Sequence, residues 1–201
     1  MQTLVKTIAE IQYLEQEAQE DSKHEYHNGE ILSMAGATEE HNLIVSNIVG
    51  ELYICLKGRK CKIYPSDLLL KLAQCKKYVY PDVMLVCEEA QIERKTAQSA
   101  DVLLNPDIVI EVLSESTAFY DQNEKKRCYQ MLPSLAQYVM IDSRKIEVIS
   151  YQRTPENDWI LDLLNERSDR LQIGDCWVSL ADMYAQVTWE ENKDKEEEKD
   201  L

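Results

Sequence analysis

Two stretches decide how this chain folds: Tyr80-Pro81-Asp82-Val83-Met84-Leu85-Val86 and Asn105-Pro106-Asp107-Ile108-Val109-Ile110-Glu111-Val112-Leu113-Ser114. Each is a short run rich in Val, Ile and Leu, opened by Pro-Asp. Runs of this length and composition read as buried strands. A third stretch, Tyr120-Asp121-Gln122-Asn123-Glu124-Lys125-Lys126-Arg127-Cys128-Tyr129, has helical spacing. Glu111 sits between Ile110 and Val112, in a run that belongs in the core. A carboxylate there is expensive unless it is paired or binds a metal. The plain alternative is a strand end turned to water.

Asp82 opens one of these strands and Glu111 lies within the next. If the strands are neighbours, two carboxylates meet, and they repel unless they share a proton or a cation. Oxygen ligands without Cys or His point to a hard ion, Mg²⁺ or Mn²⁺. In the following helix Lys125 precedes Cys128, Tyr129 and Leu132 by three, four and seven residues. That spacing puts it on the inward stripe, whereas Lys126 should face water. A lysine on an inward face needs an anion; the alternative is a snorkelling lysine at the stripe's edge.

Working outward, residues 8–20 read as an amphipathic helix with Ile8, Ile11, Leu14 and Ala18 on one stripe. His24 to Leu32 reads as two strands around Asn28-Gly29, flanked by Glu25 and Glu30. These are solvated hairpin charges, or Glu25 stands at the mouth of a site. A helix is expected over Glu39–Leu56, with Thr38 as N-cap and His41 in its first turn. It is apolar on much of its surface and should be central. His41 is therefore a candidate site residue. Strands are expected at 61–64, 67–72 and 79–86, then a polar loop or short helix over 88–100. After the strand 108–113, Ser114, Ser116 and Thr117 link into a helix over 120–132, stopped by Pro133. A strand is expected at 137–142, then an antiparallel meander at 145–152 and 159–164 with one more strand at 170–173, and a short helix over 180–186 ends the fold.

Composition bounds the rest. The chain has 201 residues, 44% hydrophobic and 29% charged, which suits one soluble domain over residues 1–189. The tail Glu190–Leu201 holds seven acidic residues and three lysines, the make-up of a disordered, solvating segment. No run approaches the roughly 20 apolar residues of a membrane span. No signal peptide is visible, so a cytoplasmic protein is expected. The six cysteines show no C-x-x-C pairing and the three histidines do not cluster with them, which argues against zinc. They read as reduced core thiols. A net charge of −15 argues against a general nucleic-acid coat but leaves room for a local basic groove.

The ordered set resembles the PD-(D/E)XK nuclease superfamily. It is most similar to the bacterial Uma-two family of restriction-endonuclease-like proteins. The residues carrying the resemblance are Tyr26 to Gly29-Glu30, Met34 and His41; Tyr80-Pro81-Asp82; Pro106-Asp107 with Glu111 to Ser114; Ser116-Thr117 with Tyr120-Asp121, Lys125 and Tyr129; and Tyr138 to Asp142. The resemblance implies an α/β fold with a restriction-endonuclease-like core of helix, three antiparallel strands, helix and strand, to which the C-terminal β-meander is added. It implies Asp82, Glu111 and the backbone carbonyl of Val112 as metal ligands. The superfamily's usual lysine, two residues after the Glu, is Leu113 here; Lys125 on the next helix takes its place. The expected function is metal-dependent hydrolysis of DNA, with Asp82, Glu111, Lys125 and His41 in the site. RNA is the alternative substrate, and a homodimer is expected because cutting both strands needs two sites. The rival reading is a catalytically degenerate binding or assembly module on the same scaffold.

Overall fold

The computed structural model describes residues 9–34, 36–114 and 120–189. The acidic tail, Ile8, Ser116 and Thr117 lie outside them. Helix α1 (Glu10–Glu17) turns Tyr13, Leu14 and Glu17 inward. Of the expected stripe Leu14 is buried, but Ile11 is 49% exposed and Ala18 is exposed. Polar contacts set this phase. Tyr13 Oη donates to His24 O at 2.6 Å, and Glu17 Oε1 accepts from Tyr80 Oη and from the His24 N–H, both at 2.9 Å.

Strands β1 (His24–His27) and β2 (Glu30–Ser33) form a hairpin around Asn28-Gly29. Both turn residues have positive φ, 48° and 103°, which Asn tolerates and Gly adopts freely. Helix α2 (Glu39–Leu56) is capped by Thr38, whose Oγ1 accepts from the His41 N–H at 3.3 Å. Its buried side is the single stripe Ile44, Ile48, Leu52, Leu56. The helix packs on one side only, so Tyr53 and Ile54 are exposed rather than central.

Next come β3 (Lys62–Pro65), β4 (Leu69–Leu72), a 3₁₀ turn (Ala73–Cys75), β5 (Lys77–Val79) and β6 (Val83–Val86). The one strand expected over 79–86 is thus two. Pro81 has no N–H for a ladder, and the chain changes sheets at Tyr80-Pro81-Asp82. Two-residue strands β7 (Ile92–Glu93) and β8 (Val102–Leu103) stand at or just after the expected loop. Such strands are too short to show a period in sequence. The first sheet runs β2-β1-β5-β4-β8-β7.

Strand β9 (Ile108–Leu113) is buried at all six positions. The chain then passes through a π-helical turn (Asp121–Lys125) into α3 (Lys126–Gln130). Strands β10 (Gln137–Asp142), β11 (Val148–Arg153) and β12 (Trp159–Leu164) follow. The second sheet runs β12-β11-β10-β9-β6-β3. Within it β3, β6 and β9 are antiparallel neighbours, β10 is parallel to β9, and β11 and β12 continue antiparallel. A ribbon of β13 (Arg170–Ile173) and β14 (Cys176–Ser179) leads into α4 (Leu180–Met183), shorter than expected and capped by Ser179.

Alternation along β9 sorts the core. Ile108, Ile110 and Val112 pack with α2, β14 and α4; Val109 and Leu113 pack with Cys128, Tyr129 and Tyr138. Glu111 has the parity of Val109 and Leu113, so it faces α3.

The expectation of free thiols is overturned. Cys55–Cys176, Cys61–Cys87 and Cys75–Cys128 are disulfides, and no described cysteine is free. The partners stand 121, 26 and 53 residues apart in sequence. Only the topology brings them together, so spacing did not reveal them. Among the described residues no helix is long and apolar enough to cross a membrane.

Candidate active site

The register Val83↔Ile110, continued by one residue, sets Asp82 at the level of Glu111. Asp82 is held from two sides. Its Oδ2 accepts from the Val112 N–H at 2.7 Å, and its Oδ1 lies 3.1 Å from His41 Nε2. His41 is there because α2 begins beside the sheet end and Thr38 fixes its first turn. Burial lowers the His41 pKa, but the Asp82 carboxylate outweighs it and the net shift is upward.

Glu111 is 4% exposed. Its Oε1 lies 2.8 Å from Lys125 Nζ and accepts from Tyr129 Oη at 2.5 Å. Lys125, 5% exposed, also lies 3.2 Å from Glu25 Oε1 and 3.7 Å from Asp121 Oδ1. One ammonium thus sits among three carboxylates. Burial works against its charge, but Glu111, Glu25 and Asp121 together hold its pKa well above the usual lysine value. Burial raises the Glu111 carboxyl, and Asp121 and Asp82 add to that against the pull of Lys125. Burial would also raise Glu25, but Lys125 and His27 bring it down to about 2.

The structure brings Asp82, Glu111, Lys125, His41 and the Val112 backbone to one end of the second sheet. Glu25 joins them, not at a rim but buried: its Oε1 accepts from the Tyr80 N–H at 3.3 Å and its Oε2 lies 3.0 Å from His27 Nε2. Glu25 therefore ties the hairpin to the residue that precedes Pro81-Asp82. Glu30 stays exposed. Lys126 does not simply face water. It is half-buried over the Tyr151 ring, with Nζ donating to Tyr151 Oη at 3.3 Å.

Sequence reasoning left out Asp121 as a partner of Lys125 and the hydroxyl of Tyr129. Their signal was present: Asp121, Lys125 and Tyr129 recur at intervals of four, one face of a helix. It also missed the flank of the site, where Tyr120 stacks on His27 with centroids 5.5 Å apart and receives a hydrogen bond from Lys77 Nζ at 2.9 Å. The His27–Tyr120 contact joins segments 93 residues apart and leaves no pattern in sequence.

Among the described residues no group of three or more His, Cys, Asp or Glu side chains is arranged to hold a metal ion. The expected oxygen donors, Asp82, Glu111 and the Val112 carbonyl, stand at this sheet end beside two further carboxylates, Glu25 and Asp121. Two carboxylates and a carbonyl suit a hard ion that keeps most of its waters. They fit Mg²⁺ or Mn²⁺ by chemistry, provided Glu111 shares its carboxylate with Lys125.

The profile of the Uma2 family, described as "Putative restriction endonuclease", matches residues 11–181. The chain belongs to the Uma2 family. Two proteins of Synechocystis sp., both named as uncharacterized, are similar to most of this chain. The protein sll1609 is 34% identical over 165 residues, covering 82% of this chain and 92% of that one. The protein slr1290 is 33% identical over 170 residues, covering 85% and 86%. The fold is similar to a crystal structure from Anabaena variabilis titled as a "putative nuclease belonging to DUF820". That likeness has a TM-score of 0.67 at 16% identity and covers 84% of this chain and 93% of the other. Within this Uma2 chain Leu113 is 2% exposed and packs with Cys128 and Tyr129. The ammonium beside Glu111 comes instead from the π-helical turn, through Lys125.

Proposed function

We propose that this protein is a metal-dependent endonuclease hydrolysing DNA phosphodiester bonds. The observation that carries the reading is the Lys125–Glu111 ion pair at 2.8 Å, set beside Asp82 at one sheet end of a Uma2 family member. The strand order β3-β6-β9-β10, with α3 between the parallel pair, supports a restriction-endonuclease-like core, and β11 and β12 extend the same sheet. Asp82, Glu111 and the Val112 carbonyl would hold Mg²⁺ or Mn²⁺, and the ion would lower the pKa of a water and offset charge on the scissile phosphate.

The chain's own residues do the rest. Lys125 is fixed by three carboxylates, so its ammonium is preorganised toward a phosphate oxygen that gains charge in the transition state. Tyr129 holds Glu111 in one rotamer through its hydroxyl. His41 and the Val112 N–H orient Asp82. Glu25, anchored on the Tyr80 N–H, keeps Lys125 from collapsing onto Glu111 alone.

The alternative, a degenerate nuclease fold used for binding or assembly, is favoured by one observation: Glu111 is already engaged by Lys125 and Tyr129. Incubation of supercoiled plasmid with the protein and Mn²⁺ or Mg²⁺ separates the two readings. The nuclease reading expects nicked and linear products that disappear with chelator and in Glu111→Ala. DNA binding without any cleavage by the folded protein supports the alternative.

A further inference from the structure

The π-helical turn and α3 carry Lys125 and Tyr129, the two groups that engage Glu111. Together they span only Asp121–Gln130, too short a helix to be held by its own hydrogen bonds. One short segment of the first sheet grips it at two points. Cys75, the last residue of the 3₁₀ turn, is bonded to Cys128. Lys77, at the start of β5, donates to Glu124 Oε1 at 2.6 Å and to Tyr120 Oη at 2.9 Å. Glu124 and Cys128 are four residues apart, so they share one face of the helix. Lys125 and Tyr129 form the neighbouring stripe, about 100° further round. The two-point grip therefore fixes the rotation of the helix about its axis, and that rotation aims Lys125 at Glu111.

The two points differ in kind. Glu124 is exposed, so its pairing with Lys77 is screened by water and salt. The covalent point is approached from one side. Cys128 is buried, whereas Cys75 is half-buried in a turn where Ala73, Gln74 and Lys76 are exposed. A cation beside a partly exposed cysteine favours a thiolate there, and Lys76 follows Cys75 directly. The other two disulfides hold elements away from Lys125. Cys61–Cys87 ties β3 to β6 at the end of β6 opposite Asp82, and Cys55–Cys176 ties α2 to β14.

We propose that Cys75–Cys128 is a redox latch on the helix that carries Lys125, opened by a dithiol and closed by reoxidation. One thiolate of the dithiol attacks Cys75 Sγ; the Cys75–Cys128 bond breaks, and Cys128 leaves with the electron pair and takes up a proton. The second thiol then attacks its own sulfur in the mixed disulfide and releases Cys75 as a thiol. Two electrons and two protons pass to the protein, and the dithiol becomes a disulfide. With the covalent point gone, the first half of the helix is held by Lys77 and by packing, and Lys125 leaves its fixed place among Glu111, Glu25 and Asp121. The effect on turnover rests on the nuclease reading; the release of the helix does not.

Hydrogen exchange of the full metal-free chain, oxidised and after dithiothreitol, tests the latch. Amides of residues 121–128 should exchange at least about tenfold faster after reduction, as in a local opening, while those of β9 and β10 stay protected. Reoxidation should reverse the change. Cys75→Ala, Cys128→Ala should exchange fast in both conditions, and Cys61→Ala, Cys87→Ala should respond as wild type. Alkylation with mass mapping gives a reading on the unmutated chain: Cys75 and Cys128 should be labelled while circular dichroism still shows the folded protein. Plasmid cleavage, where it occurs, should fall at least about tenfold on reduction; absence of cleavage in both states sinks the nuclease reading and leaves the exchange result to decide the latch. Unchanged exchange over 121–128, labelling of Cys75 and Cys128 only on global unfolding, an undiminished response in Cys75→Ala, Cys128→Ala, or cleavage indifferent to reduction each overturns the proposal.

Discussion

Replacing Lys125 with alanine probes the site at its most crowded atom. Nζ lies 2.8 Å from Glu111, 3.2 Å from Glu25 and 3.7 Å from Asp121, and the residue is 5% exposed. Without it, three carboxylates face one another with almost no water to screen them. Deleting one partner of a buried ion pair costs about 3–5 kcal/mol. A lysine snorkelling at the edge of the stripe would cost only about 0.5 kcal/mol. The expected loss for Lys125→Ala is therefore at least about 3 kcal/mol, read from urea unfolding of metal-free protein at constant m. A Lys125→Met, Glu111→Gln double variant removes one of the three uncompensated charges and should be more stable than the sum of the Lys125→Met and Glu111→Gln singles by about 1–2 kcal/mol. Lys126→Ala loses the contact with the Tyr151 ring and should cost about 0.5–1 kcal/mol. In the plasmid assay Lys125→Ala should fall about a hundredfold or more, while Lys126→Ala cleaves as wild type. A Lys125→Ala protein within about 1 kcal/mol of wild type, or no coupling in the double variant, would refute the reading of this cluster as a desolvated ion network.

Other perturbations give separate tests. Mg²⁺ or Mn²⁺ should raise the melting temperature by mass action, and Asp82→Asn should remove that rise; an unchanged metal response would take Asp82 out of the metal site. Glu10 hydrogen-bonds Lys95 at 2.7 Å and Tyr78 at 2.9 Å, and the Lys95 contact leads the effects that lower its pKa. A lowered folded-state pKa gives stability that is present above the unfolded value and is lost as pH falls through the folded one. Wild type and Glu10→Gln should therefore differ at neutral pH and begin to converge as the pH falls below about 4.3, and a gap that widens there contradicts the pairing. Cys75–Cys128 closes a 53-residue separation and ties α3 to the turn after β4. Removing it by Cys75→Ala, Cys128→Ala should cost about 4 kcal/mol on the chain-entropy account; equal stability of the variant and the unreduced parent would show that the bond contributes nothing.

The pattern-bearing elements were legible in the sequence. Helix α2 spans the expected Glu39–Leu56 and begins at its expected cap Thr38, because a cap acts locally. The Asn28-Gly29 hairpin was legible for the same reason: a turn with two positive φ angles admits few residues. Strands β9 and β10 were visible as short apolar runs, since a strand buried on both faces has no polar alternation. The inward phase of Lys125 followed from helical geometry alone. The stripe of helix α1 was right at Leu14 but missed Tyr13 and Glu17, because it was chosen by hydrophobicity and their burial is set by hydrogen bonds to partners beyond the helix.

What the sequence by itself determined is therefore the local grammar: which segments are strands or helices, where they stop, and which carboxylates and lysine cannot reach water cheaply. Tertiary structure alone decided the division of residues 77–86 between two sheets and the pairing of six cysteines. It also decided the arrival of Glu25 beside Lys125 and the exposure of β12. Each of these depends on which distant segments become neighbours, and contact between segments a hundred residues apart is settled by the packing of the whole core. A period of two or of 3.6 reports the face a residue occupies, but not what it will meet there.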